Sequence, residues 1–305
     1  MKINENFFKV IFHNNYMKKR GLIDKIKKIE KKLKTSKLKH KVKRKKNKKL
    51  IKEEKFLKTY ITGFDKLLGE GIPVGNSVLV EGGPGSGKTI FCLTLLKNMC
   101  EKGKKVLYMS FEEPEFRLKE HMKIFGANVE EYEKKNLLYV KRFNALDIAR
   151  SVEALLSEAK KELLIEVQPV LIPRDFKPEI VFIDSLSSIS SAFSGESSRF
   201  RIYMEQLFRY LEGHSITSFL IRETANPVHI GGGYVESGEA VSFLSDGIIV
   251  LYNVFFKDGS RKRAIEVLKM RRGDIDRKIV ECEIKKSKGI VVYPNKILKK
   301  NYILT

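Results

Sequence analysis

Tryptophan is absent from this 305-residue chain, and cysteine (3) and proline (8) are scarce. The thiols at Cys92, Cys100 and Cys282 are odd in number and widely spaced, which gives neither a disulfide framework nor a metal-ligand cluster. Five histidines are scattered without ligand spacing, so no metal site of that kind is expected. No apolar run reaches the ~18 residues a membrane-spanning helix needs. The opening MKINENFFKVIFHNNYMKKR lacks the apolar stretch and small-residue cleavage site of a secretory signal. A reduced, cytoplasmic protein is the expectation. Acid is also in short supply, with 37 Asp+Glu against 60 Lys+Arg and a net charge of +23. Hydrophobic residues make up 42%, enough for a sizeable core, which excludes wholesale disorder. At roughly 100–200 residues per domain, the length fits one large domain or two small ones.

The cations are concentrated at one end. Residues 1–58 hold 23 Lys/Arg and 5 Asp/Glu, a net of +18, which leaves 23 − 18 = +5 for residues 59–305. Leu22, Ile26, Ile29 and Leu33 form a short apolar helical stripe, and KHKVKRKKNKKL from Lys39 to Leu50 is nearly solid cation. The chain therefore divides into a Lys-rich extension, 1–56, and a domain of nearly ordinary charge, 57–305. The extension suits electrostatic binding to nucleic acid or an acidic partner, or is a solvated tail. No aromatics interleave with the lysines of the Lys39–Leu50 block, so it offers no stacking platform for single-stranded bases.

From Thr62 onward strands and helices alternate. Strands are expected at Asn76–Gly82, Lys105–Phe111, Leu137–Val140, Glu179–Ile183 and Ile216–Ile221. Helices are expected at Lys88–Glu101, Glu115–Phe125, Ala145–Ile165 and Arg199–Leu211. This repeat implies an α/β fold with a mostly parallel sheet covered on both faces. Gly247–Phe256 with Arg263–Met270, and Ile279–Ile284 with Ile290–Tyr293, read as C-terminal antiparallel hairpins. Gln168–Pro178, with three prolines, reads as a surface loop. The serine-rich Ser185–Ser198 and the glycine run in Ile230–Tyr234 read as mobile loops. Arg199, Arg201 and His229 there are the only cations that add to a nucleic-acid reading of the domain.

Gly82-Gly83-Pro84-Gly85-Ser86-Gly87-Lys88-Thr89 fits G-x-x-x-x-G-K-[ST] in full, between a strand and a helix. Backbone amides freed of Cβ obstruction converge on a β-phosphate, Lys88 reaches the β- and γ-phosphates, and the Thr89 hydroxyl ligates Mg²⁺. The helix from Lys88 aims its positive dipole end at the same phosphates. Ile180–Asp184 is four apolar residues ending in acid at the carboxyl end of a buried strand, so Asp184 is the second metal-holding residue. Ser185 follows it, where many nucleoside-triphosphatases place glutamate. The base that orients water must then come from another strand end, and Glu112 and Glu113 are so placed. Cys92 and Cys100 read as packing residues of the helix.

The run TGFDKLLGEGIPVGNSVLVEGGPGSGKT at Thr62–Thr89 resembles the opening of the KaiC family of RecA-like ATPases. So do SFEEP at Ser110–Pro114, VFIDSLSSI at Val181–Ile189, SDGIIVL at Ser245–Leu251 and VLKMRRGD at Val267–Asp274. The resemblance implies a RecA-like P-loop fold, ATP and Mg²⁺, and a homo-oligomer, often a hexamer, with nucleotide between subunits. It matches Glu112 and Glu113 to the family's catalytic glutamates, and Lys269 and Arg271 to residues that reach the neighbouring subunit's nucleotide. Alternation along Val267–Arg271 puts Lys269 and Arg271 on one face and Leu268 and Met270 on the other. The function expected is a slow ATPase acting as an oligomeric nucleotide-driven switch. The alternative is a DNA-associated recombination or repair ATPase of the RecA/RadA type.

Overall fold

The computed structural model describes residues 55–148, 150, 172–173, 175–193, 197–224, 239–298 and 302–304. Residues 1–54, with the Leu22–Leu33 stripe and the cation block, lie outside them, as do most of the helix expected at Ala145–Ile165 and the whole of Ile230–Tyr234.

Two short strands, β1 (Phe56–Leu57) and β2 (Ile72–Pro73), pair antiparallel around a 3₁₀ turn at Phe64–Leu67. The main elements follow as β3 (Ser77–Gly82), α1 (Lys88–Glu101), β4 (Val106–Ser110), α2 (Glu115–Ile124), α3 (Val129–Lys134), β5 (Leu138–Arg142) and β6 (Ile180–Asp184). Then come α4 (Leu186–Ala192), α5 (Ser197–Gly213), β7 (Thr217–Glu223), α6 (Glu239–Leu244), β8 (Gly247–Phe256) and β9 (Arg261–Met270). The chain closes with β10 (Val280–Lys285), β11 (Gly289–Ile297) and β12 (Tyr302–Leu304).

One ten-stranded sheet runs β11-β10-β9-β8-β3-β7-β6-β4-β5, with β12 added beside the far end of β8. The six strands from β8 to β5 are parallel, and β9 to β12 are antiparallel additions. This is the expected α/β architecture, and both hairpins pair the strands the sequence pattern paired.

The parallel strands are buried on both faces, which is why they read as continuous apolar runs. Their side chains nevertheless divide with period two. Val78, Val80, Tyr108, Ile180 and Phe182 pack with α1, α2 and α3 in one layer. Leu79, Leu107, Met109, Val181 and Ile183 pack with α4 and α5 in the other. Helix α5 buries Phe200, Tyr203, Met204, Leu207 and Leu211 and exposes Arg201, Arg209 and Glu212, an apolar stripe at helical spacing.

Three details differ from the sequence reading. Much of Ser185–Ser198 is helix rather than mobile loop: the Ser185 hydroxyl caps α4 by accepting from Ser188 N–H, and Leu186, Ile189 and Phe193 anchor it in the core. Helix α3, unseen in the sequence, is capped by Asn128, which accepts from Glu131 N–H, and buries Val129 and Tyr132. A bulge at Leu268 breaks the alternation in β9, because Lys269 pairs with Ile248 but Val267 with Ile249. Met270 consequently packs in the α1 layer and Leu268 in the opposite layer, so the two do not share a face.

Candidate functional site

Strands β3, β4, β6 and β7 end at one edge of the sheet. Register sets Ser110 beside Asp184 and Gly82 beside Glu223, so whatever follows those residues meets at the carboxyl ends. That is where open α/β sheets bind ligands.

The segment between β3 and α1 is shaped by close backbone approach. Gly82 has φ +154°, and a Cβ there would lie 2.3 Å from the Leu251 carbonyl oxygen and 2.7 Å from Ser86 Oγ. Gly87 caps α1 in a left-handed conformation with no side chain to satisfy the first-turn amides, and the helix has no acid in its first turn. Those unpartnered N–H groups and the helix dipole form an anion cradle. The buried Ser86 hydroxyl also lacks a hydrogen-bond partner among the described residues. A phosphate chain fits this donor set.

Lys88 is 6% exposed, and its Nζ donates to Gly82 O at 2.9 Å and Gly83 O at 3.0 Å. Glu223 Oε1 lies 3.6 Å from the same ammonium. Glu223 escaped the sequence reading, although it ends a parallel strand as Glu112 and Glu113 follow one. The strand-end rule that found those residues would have found it too.

Asp184 Oδ2 accepts from the Tyr108 hydroxyl at 2.6 Å and the Thr89 hydroxyl at 3.3 Å. Burial pushes its carboxyl up to about 6, against the pull of the Tyr108 hydrogen bond, with Glu112 and Glu113 adding repulsion. A crowded set of carboxylates beside a threonine hydroxyl is a hard-oxygen environment suited to Mg²⁺, whose charge would relieve that repulsion. The Tyr108 phenol is in turn pushed well up by its burial and by Asp184.

Glu112 is held from α4: its Oε1 accepts from the Ser185 hydroxyl and, at 2.8 Å, from the Ser188 hydroxyl. Glu113 is held differently. Its backbone N–H donates to Ser110 Oγ at 3.0 Å, and its Oε2 lies 3.2 Å from His121 Nδ1. Beside the cradle, Asn253 donates to Pro84 O at 3.0 Å and Arg263 reaches Gly85 O at 3.3 Å. A cavity of about 470 Å³ opens there, bounded by Gly83, Gly85, Phe255 and Arg261.

Lys88, Thr89, Asp184, Glu112 and Glu113 thus surround one edge. Lys269 and Arg271 do not join them. Lys269 Nζ donates to Ser242 O at 3.0 Å and Ser245 O at 2.6 Å, and Arg271 Nη2 donates to Phe243 O at 2.9 Å. Arg271 also lies 3.7 Å from Asp246, whose carboxylate accepts from Ser77 N–H at the start of β3. Desolvation and the neighbouring Arg271 lower the Lys269 pKa. Among the described residues no group of His, Cys, Asp and Glu forms a further metal site, and no helix is long and apolar enough to cross a membrane.

The sequence profile of the KaiC ATPase family matches residues 57–297. The UPF0273 protein PH0284 of Pyrococcus horikoshii is 33% identical over 255 residues, covering 81% of this chain and 98% of that protein. The circadian clock protein KaiC3 of Synechocystis is 27% identical over 238 residues, covering 78% of this chain but 45% of that protein. Among solved structures, the KaiC-like protein PH0186 of Pyrococcus horikoshii superposes with a TM-score of 0.61 at 28% identity, covering 78% of this chain and 99% of that one.

Proposed function

Since this chain belongs to the KaiC family of ATPases, we propose that it binds Mg·ATP at the β3–α1 loop, hydrolyses it slowly, and works as an oligomeric nucleotide-driven switch. The observation that carries this reading is the convergence of Lys88, Thr89 and Asp184 on one sheet edge, with Tyr108 and Thr89 both bonded to Asp184. The loop amides and Lys88 hold the phosphates, and the adjoining cavity gives the rest of the nucleotide room. Thr89 and Asp184 would hold Mg²⁺, which neutralises charge developing on the transferred phosphoryl group. Glu112, steered by two serine hydroxyls, orients the attacking water, and Glu113 supports it.

Lys269 and Arg271 serve a neighbour. Arg271 follows β9, whose last residue Met270 stands opposite Gly247, the β8 residue that stands opposite Val78. Arg271 is therefore level with Ser77 at the start of β3, whereas the loop begins at Gly82. Five residues of strand span about 17 Å, beyond the reach of an arginine side chain. A cation so placed acts in trans, where stabilising phosphoryl-transfer charge is worth about 10³–10⁵ in rate.

The first test is nucleotide affinity. Lys88→Ala removes the cation facing the phosphates, and Mg·ATP affinity equal to that of the unaltered chain would overturn the assignment. The second reading, a DNA-associated ATPase of the recombination or repair type, draws on the net +18 of residues 1–58. ATPase assays with single- and double-stranded DNA across a salt series separate the two, since only the second calls for DNA stimulation that fades with salt.

A further inference from the structure

Glu81 is the residue immediately before Gly82, and it is 2% exposed. A carboxylate so buried requires a partner. The partner comes from β7: Arg222 stands opposite Glu81 in register, with Nη1 3.6 Å from Glu81 Oε1. The same nitrogen donates to Ser242 Oγ at 2.9 Å, and that hydroxyl donates toward Glu81 Oε1 at 3.4 Å. Packing alone would be served as well by apolar residues here, because a buried pair offers little net stability over hydrophobic replacements. What charges add is a fixed position.

Ser242 lies in α6, whose C-terminal carbonyls bind Lys269 and Arg271. Cations are favoured at a helix C-terminus, and these hydrogen bonds hold the basic pair to the short helix. At the other end, Arg222 precedes Glu223, which lies 3.6 Å from the Lys88 ammonium. An unbroken series of contacts therefore runs from Lys88 through Glu223 and Arg222 to Ser242, α6 and Lys269.

We infer that the buried Glu81–Arg222–Ser242 cluster positions Lys269 and Arg271, tying the cations offered to a neighbouring subunit to the state of the chain's own phosphate loop. The inference rests on the proposal that those cations act in trans. Glu81, Arg222 and Ser242 touch no nucleotide in it; they act through α6.

Ser242→Ala deletes the bridging hydroxyl and leaves Glu81 and Arg222 paired. Misplacing the basic pair should lower kcat on the order of tenfold, with KM for ATP changed less than about twofold. Mixing decides whether the defect lies in the cations or in the chain's own loop. Ser242→Ala chains mixed with chains carrying Glu112→Gln and Glu113→Gln, whose phosphate loop and Lys88 are unaltered, form sites that join an intact loop to correctly held cations, so turnover should recover beyond the sum of the two. Glu81→Gln, which keeps the side chain's shape, is assayed alongside and supplies the result should Ser242→Ala fail to fold. Arg271→Ala mixed with the same Glu112→Gln, Glu113→Gln chain reports on the trans reading itself, and no recovery there overturns both ideas. Recovery in that pair without recovery for the Ser242 or Glu81 variants overturns the positioning inference alone. An undiminished kcat in those variants does the same.

Discussion

Glu112 and Asp184 are neighbours in different surroundings. Asp184 is half-buried beside Tyr108 and Thr89, while Glu112 is exposed and directed by serine hydroxyls. Replacing Glu112 and Glu113 together by Gln should preserve Mg·ATP binding and lower turnover by about 10²–10⁴; steady-state ATPase with a parallel binding assay checks both halves. The thiols give a prediction of another sort. Burial pushes Cys100 and Cys282 up to about 12, and Cys92 is also raised by burial. The folded chain therefore keeps protons that an unfolded chain, with thiols near ~8.5, releases. Stability should fall as pH rises through that window, and alkylation at pH 8 should stay negligible until denaturant is added. Mass spectrometry of the alkylated protein reads this directly, and rapid labelling of the folded chain would contradict it. At this scale much of the site was legible: glycine spacing, an acid ending an apolar strand and a Glu pair after another strand each have a local signature. Ser188 was not, because its role depends on which strand ends lie side by side, whereas Glu223 carries the same strand-end signature as the Glu pair.

The C-terminal hairpin of β10 and β11 does more than extend the sheet. Ile290 N–H donates to Thr94 Oγ1 of α1 at 3.1 Å, and Ile284 lies against Gly87. Gly289 makes this approach available: its φ is +72°, and a Cβ would stand 2.0 Å from Thr94 Oγ1. Gly289→Ala should cost about 2 kcal/mol or more, lowering Tm by roughly 4–8 °C; a thermal melt unchanged by the substitution would show that the hairpin does not brace α1. Elements with strong periodicity, such as α1, α5 and the β8–β9 pair, were readable from sequence. Helix α3 was not, since six residues with two buried side chains carry too little pattern, and its start is set by the Asn128 cap. The serine-rich segment misled because composition suggested a loop, whereas Leu186, Ile189 and Phe193 hold it to the core. The bulge at Leu268 was invisible for a different reason: an extra residue in one strand shows only against its partner's register.

At the scale of the whole chain, the basic extension is a separable question. Removing residues 1–54, which leaves Phe56 free to pair with Pro73, should leave Tm and basal ATPase unchanged. Any binding to nucleic acid should be lost with it, and in the full chain should weaken steeply with salt; salt-insensitive binding would contradict an electrostatic arm. The phosphate loop and Arg271 lie toward opposite ends of β3, so if Arg271 serves a neighbour's loop as proposed, the surfaces that meet between two copies are unlike and the contact is heterologous. Every added subunit is then turned by the same angle. An angle that divides a full circle closes the assembly, and each of its n loops receives a neighbour's cations. Any other angle gives an open helical filament in which n chains hold n − 1 complete sites. Activity per chain would then climb with filament length, whereas in a closed assembly it would be the same for every particle.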